Sequence, residues 1–183
     1  MIVNETLRSI MSRYSCRAFA ARSVAPELIE TVLEAGKYAA SGQNAQGWHF
    51  TVVTTPEGFR LARRALGTQP PEGYPPHMTW PDDTLQPDAP VLILISGDPT
   101  MPYPDCGCHM AAGNMMVAAA ALGLATVWST AFTKDCFRDP EGEAVRNRLM
   151  PEGYQMYAAI YLGYAAASGG QQKPRRTDVV RWL

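Results

Sequence analysis

The sequence predicts an α+β fold, a central mixed or antiparallel sheet surrounded by helices. Two observations carry that reading. Segments with helical apolar spacing interleave with short β-branched and aromatic runs. A proline-rich stretch at residues 67–87 then interrupts what would otherwise be a regular alternation of strand and helix. A length of 183 residues suits one domain over residues 1–183.

The elements follow in order. Residues 4–11 form a short helical stretch with Leu7, Ile10 and Met11 on one side. Residues 26–39 are the clearest helix. Pro26 and Glu27 open it, where a missing N–H costs nothing and a negative charge meets the helix dipole. Leu28, Ile29, Val32 and Leu33 recur at helical spacing, and AASGQNAQG stops the helix. Residues 48–54, WHFTVVT, read as a strand. Residues 56–66 read as a helix with a basic face of Arg60, Arg63 and Arg64.

Residues 67–87 have no apolar period and are long for a passive connection, so they are either a functional flap or a partly mobile segment. Residues 91–96, VLILIS, are a buried strand. Residues 107–122 are a helix apolar nearly all round, expected in the core or in a subunit interface, with the methionines at 110, 115 and 116 as core packing. Strands at 125–129 and 155–163 flank an amphipathic helix at 138–150. The tail is basic and then apolar.

Charge excludes some functions. Sixteen Lys and Arg against seventeen Asp and Glu leave a net charge of −1. That balance gives no general attraction to nucleic acid or to an anionic membrane. The longest apolar run, at 115–127, is too short to span a bilayer, and the first residues lack the apolar core of a signal peptide. A cytoplasmic protein with free thiols is expected. Cys106, Cys108 and His109 make an incomplete ligand set, so no metal is expected.

Three segments could do chemistry. In MSRYSCRAF, residues 11–19, an extended backbone would put Arg13, Ser15 and Arg17 on one side and Tyr14, Cys16 and Ala18 on the other. The cationic side is either a solvated edge or a grip on a phosphate, which the guanidinium fork suits. In the tail, Lys173 and Arg175 flank Pro174 and would also face one way. At residues 41–44, Ser41, Gly42, Gln43 and Asn44 offer a hydroxyl, free backbone and two amides. Amides both donate and accept, which suits the edge of a heterocycle such as a flavin pyrimidine. A helix cap with a loop would use the same residues.

These residues resemble the FMN-dependent nitroreductase family. Arg13, Ser15, Arg17 and Phe19 match its R-x-S-x-R-x-F pattern. Ala39, Ser41, Asn44, Gln46, Trp48 and Phe50 match its A-P-S-x-x-N-x-Q-P-W-x-F pattern, with Ala40 and Gly47 where that pattern carries proline. The core strand at 88–98, the helix with Asn114, the strand ending in Trp128, the strand at 155–163 and KPRR complete the order over nearly the whole chain.

The resemblance implies an intertwined homodimer with FMN at its interface. It implies NADH or NADPH as electron donor and ping-pong reduction of nitroaromatic or quinone-type molecules. Arg13, Ser15, Arg17, Lys173 and Arg175 would hold the phosphate. Ser41, Gly42, Gln43 and Asn44 would reach the ring from the partner subunit. Ser129, Thr130 and Ala131 would lie near the ring, and residues 171–183 would pack on the partner. Tyr14 is placed with the cofactor-binding set and its role is open. The resemblance also makes residues 67–87 a candidate substrate lid, in which Trp80 is either a substrate contact over the flavin or a loop anchor. The flavin carries the chemistry, so no catalytic side chain is expected. The alternatives are a non-catalytic flavin carrier or redox-responsive protein, and a dehalogenating, flavin-fragmenting or azoline-oxidising enzyme on the same fold.

Overall fold

A computed structural model describes residues 2–66, 88–132 and 144–183. Its elements are α1 (Glu5–Ser12), α2 (Pro26–Lys37), a 3₁₀ turn (Gly42–Asn44), β1 (Trp48–Val53), α3 (Pro56–Ala65), β2 (Val91–Gly97), α4 (Pro104–Ala121), β3 (Ala125–Ser129) and β4 (Gln155–Gly163). The expected elements are recovered with shifts of a few residues at their ends. One expectation is met only in part. Of the helix read at 138–150, residues 144–146 are helical, 147–149 form a turn, and residues up to 143 lie outside the described residues. The lid candidate at 67–87, with Trp80, lies outside them too.

Local chemistry sets the helix starts. Asn4 accepts the Leu7 N–H at 2.9 Å and Thr55 accepts the Gly58 N–H at 3.1 Å, each satisfying an otherwise unpaired donor. Proline begins α2, α3 and α4.

The four strands lie in the order β1-β2-β4-β3 and pair antiparallel throughout. β2 and β4 are central, so both their faces are covered. That is why VLILISG reads as an unbroken apolar run rather than an alternation. Period two still sorts its residues: Leu92 and Leu94 enter one apolar cluster with Val53, Phe132 and Tyr161, while Val91, Ile93 and Ile95 enter the other with Val32, Met115 and Ile160. The second cluster lies between the sheet and the pair α2–α4.

The β2–β4 register shifts between Ile95 and Ser96, leaving Tyr157 without an opposite residue. Such a bulge frees backbone groups from the ladder. The Tyr157 carbonyl is met by the His109 ring Nε2 at 3.0 Å, so that nitrogen carries the proton.

Burial between α4 and the bulge pushes the Cys108 thiol from its ordinary 9.0 up to about 12, with Asp105 adding to the rise. Burial likewise raises the Tyr161 phenol, against the opposing charge of Arg63. The unfolded chain ionises these groups first, so their stabilisation is complete below the unfolded thiol pKa of 9.0 and is lost as pH climbs toward about 12. Urea-unfolding midpoints should therefore fall across that window. Cys108→Ala should flatten the fall, and an unchanged slope would show that Cys108 contributes nothing to it.

Candidate functional site

The MSRYSCRAF segment leaves α1 extended and is held along the β3 edge. Ser15 makes a parallel bridge with Thr126, and the Cys16 N–H donates to the Thr126 carbonyl at 2.9 Å. Past Cys16 the segment pairs with the chain that leaves β4. Arg17 N–H donates to the Gly169 carbonyl at 3.2 Å, and Phe19 bridges Ala165. Only glycine fits at 169: an added Cβ would lie 2.8 Å from the Cys16 sulfur and 2.9 Å from the Ala18 carbonyl oxygen. Gln172 then donates from its side chain to the carbonyls of Met11 and Arg13. The two ends of the polypeptide thus run side by side.

Extended pairing sets Ser15 apart from Tyr14 and Cys16, whereas Arg13 borders both sides. Cys16 is wholly buried and Tyr14 packs on the core beneath the strand. Tyr14 borders a small cavity of about 220 Å³ with Thr126 and Leu124. Arg13 borders that cavity too, and with Ser15 it lines a second of about 540 Å³, walled by His109, Gly113 and Met116 of α4 and by Trp128 of β3. That volume lies within the range of small-molecule sites, roughly 300–1,000 Å³. None of the residues lining it is acidic.

One Arg13 atom is unusual. Its Nη1 is buried and has no hydrogen-bond partner among the described residues. Buried donors are nearly always satisfied, because leaving one unpaired costs about 1–3 kcal/mol. An arginine with an open donor, bordering two cavities that no carboxylate lines, suits an anion with several oxygens.

The other expected residues fall into three groups. Arg17, Lys173 and Arg175 are exposed, and the cavity's lining does not include them. Arg17 nevertheless joins the crossing of chain ends through its N–H on Gly169, and Lys173 follows Gln172, whose side chain reaches the Arg13 carbonyl. Ser129, Thr130 and Ala131 continue from Trp128. Ser129 and Ala131 are buried, and the Ser129 hydroxyl accepts the Ala131 N–H at 3.2 Å. Ser41, Gly42, Gln43 and Asn44 form a turn beside the start of α4, and they too are absent from the cavity lining.

Sequence reasoning missed His109 and Trp128 as cavity walls. Their rings meet edge to face, 5.8 Å apart. The signal was present in the spacing: His109, Ala112, Gly113, Met116 and Val117 recur at helical intervals and share one face of α4. It was hidden because small and apolar residues surround the helix. Of the three methionines Met115 is fully buried in the core and Met116 packs half-buried against it. Met110 is exposed and Met116 lines the cavity. Among the described residues no group of three or more His, Cys, Asp or Glu could hold a metal. Among them, too, no helix is long and apolar enough to cross a membrane.

Comparisons with known proteins agree on one lineage. The model of the nitroreductase family matches residues 10–164. A protein of Archaeoglobus fulgidus, provisionally named an NADH dehydrogenase/NAD(P)H nitroreductase, is 29% identical over 168 residues, which cover 88% of this chain and 86% of that protein. The structure of a Bacteroides fragilis nitroreductase with bound FMN superposes with a TM-score of 0.84 at 28% identity, covering 99% of this chain and 100% of that one. A Desulfitobacterium hafniense nitroreductase with bound FMN also gives 0.84, at 26% identity and full coverage of both chains.

Proposed function

Because the chain belongs to the nitroreductase family, we propose that it is an FMN-dependent oxidoreductase. It takes reducing equivalents from NADH or NADPH and passes them to small nitroaromatic or quinone-type acceptors. The observation that carries this reading is Arg13, which has a buried nitrogen without a partner among the described residues and lines a cavity with Ser15 and no carboxylate. FMN fits that chemistry, since its phosphate supplies the missing acceptors.

In this reading Arg13 and Ser15 hold the phosphate from inside the cavity, and Arg17, Lys173 and Arg175 neutralise it from the solvent side. Bound FMN supplies hydride transfer at N5. The protein's own part is to bind, orient and dry the site. The apolar wall of Met116 and Trp128 excludes water, and the backbone at 129–131 lines the position of the ring. No side chain is assigned a proton-transfer role.

The site is completed in a homodimer. The apolar residues of α1, Leu7, Ile10 and Met11, are exposed in the single chain. So are Met110 on α4 and Val179, Val180, Trp182 and Leu183 in the tail. Apolar area on this scale marks an interface. It would place the 41–44 loop of a second copy against the ring.

Purified protein tests the reading. It should be yellow and release FMN on denaturation, and mixing with NADH or NADPH in a stopped-flow instrument should bleach the visible absorbance. Colour without bleaching would leave a flavin carrier. Colourless protein that does not take up added FMN would overturn the assignment.

A further inference from the structure

Four non-glycine residues among those described have positive φ: Gln43 (54°), Asn44 (55°), Gln46 (50°) and Tyr103 (51°). Bulky side chains rarely adopt this region, and such strain collects where the surroundings enforce it. The four are not scattered. A Cβ built on Gly42 would lie 2.7 Å from Tyr103 Cδ2 and 2.8 Å from the Pro102 carbonyl oxygen, so the Tyr103 ring edge and the Pro102 carbonyl sit directly on the turn. At its other end the turn is tied to the same segment, where Asp98 N–H donates to the Gly47 carbonyl at 2.9 Å. Inside the turn Ser41 Oγ accepts the Gln46 N–H at 3.1 Å, and Gln46 Nε2 donates to Asn44 Oδ1 at 3.0 Å.

Tyr103 itself is pinned from behind. Its carbonyl accepts the Gly107 N–H at 3.1 Å, and Pro104 follows it, which disfavours the right-handed helical region. Its side chain is 69% exposed, so core burial does not repay the strained backbone.

We propose that Tyr103 is a positioning residue. Its ring, resting on Gly42, holds the 41–46 turn in its left-handed form, so that the Gln43 and Asn44 amides are presented to a flavin ring in the neighbouring copy. The proposal rests on the FMN reading above. It goes further by assigning the turn's shape to a residue some sixty positions away in the chain.

The test compares Tyr103→Phe with Tyr103→Asn. Asparagine tolerates the left-handed backbone and removes only the ring. Dissociation constants for FMN and riboflavin are read by flavin fluorescence, the visible flavin band is recorded, and the melting temperature of the FMN-free protein is measured. Tyr103→Phe should behave as wild type. Tyr103→Asn should weaken FMN and riboflavin alike, by roughly tenfold, the scale of one misplaced hydrogen bond. Its bound-flavin band should move toward that of free flavin, with the melting temperature unchanged. Unaltered binding of both flavins overturns the proposal, as does a loss confined to FMN, which would implicate the phosphate instead. If Tyr103→Asn fails to fold, Gly42→Ala attacks the same contact from the other side and should give the same paired loss; normal binding by that variant overturns it equally. Wild-type protein that binds neither flavin would instead sink the FMN assignment.

Discussion

Replacing Arg13 with alanine is expected to weaken FMN binding by about 1.5–3 kcal/mol, roughly 10- to 150-fold, and to leave riboflavin binding nearly unchanged. The asymmetry follows from position. Arg13 offers a buried cationic nitrogen with no partner, and riboflavin has no phosphate to meet it. The FMN-free protein should respond in the opposite sense. Deleting an unsatisfied buried donor relieves a desolvation cost, so its melting temperature should stay level or rise. Arg17→Ala should cost less, because Arg17 is exposed and water screens its charge. Isothermal titration with both flavins, alongside thermal melts without flavin, separates the cases. Equal losses for FMN and riboflavin, or a destabilised flavin-free protein, would make Arg13 a structural residue.

The second large effect is on assembly. A chain ending at residue 170 should fold but elute from gel filtration as a monomer that retains little FMN. None of residues 171–183 is buried in the single chain, so their removal takes nothing from its core. Trp182 and Leu183 are almost wholly exposed, and Val179 and Val180 are two-thirds exposed. Covering such side chains is worth about 1.5–3 kcal/mol each before the cost of ordering the tail. The truncation also removes Lys173 and Arg175, so cofactor and dimer should be lost together. A truncated chain that remains a flavin-loaded dimer would disprove both roles of the tail.

A charge-neutral double substitution distinguishes the two contributions. Trp182→Ser with Leu183→Ser keeps both cations and removes apolar area. It should weaken the dimer more than it weakens the first contact with phosphate at Arg13.

Much of this was legible in the sequence because the signals were local. Pro26 and Glu27 mark a helix start whatever the chain packs against, and VLILIS can only be a covered strand. The alternation of Ser15 against Tyr14 and Cys16 follows from extended geometry alone, so these could be sorted before any partner strand was known; Arg13, at the exit of α1, borders both sides. The cationic residues near both ends, Arg13 and Arg17 with Lys173 and Arg175, could be named as one candidate set. Their meeting could only be expected.

Tertiary structure decided the rest, for reasons no window of sequence contains. The chain ends cross because Gly169 admits the Cys16 sulfur and Gln172 reaches the Arg13 carbonyl. His109 stands in the cavity wall where a register shift between β2 and β4 leaves the Tyr157 carbonyl to its ring. The turn at 41–46, with three residues of positive φ, packs its Gly42 against the ring edge of a tyrosine on a different segment. Local propensity and periodicity are properties of neighbours along the chain, and so the sequence determined the elements and the chemical character of their faces. Which faces meet, and which polar atom is left waiting for a ligand, depends on packing between residues far apart, and only the folded molecule decides it.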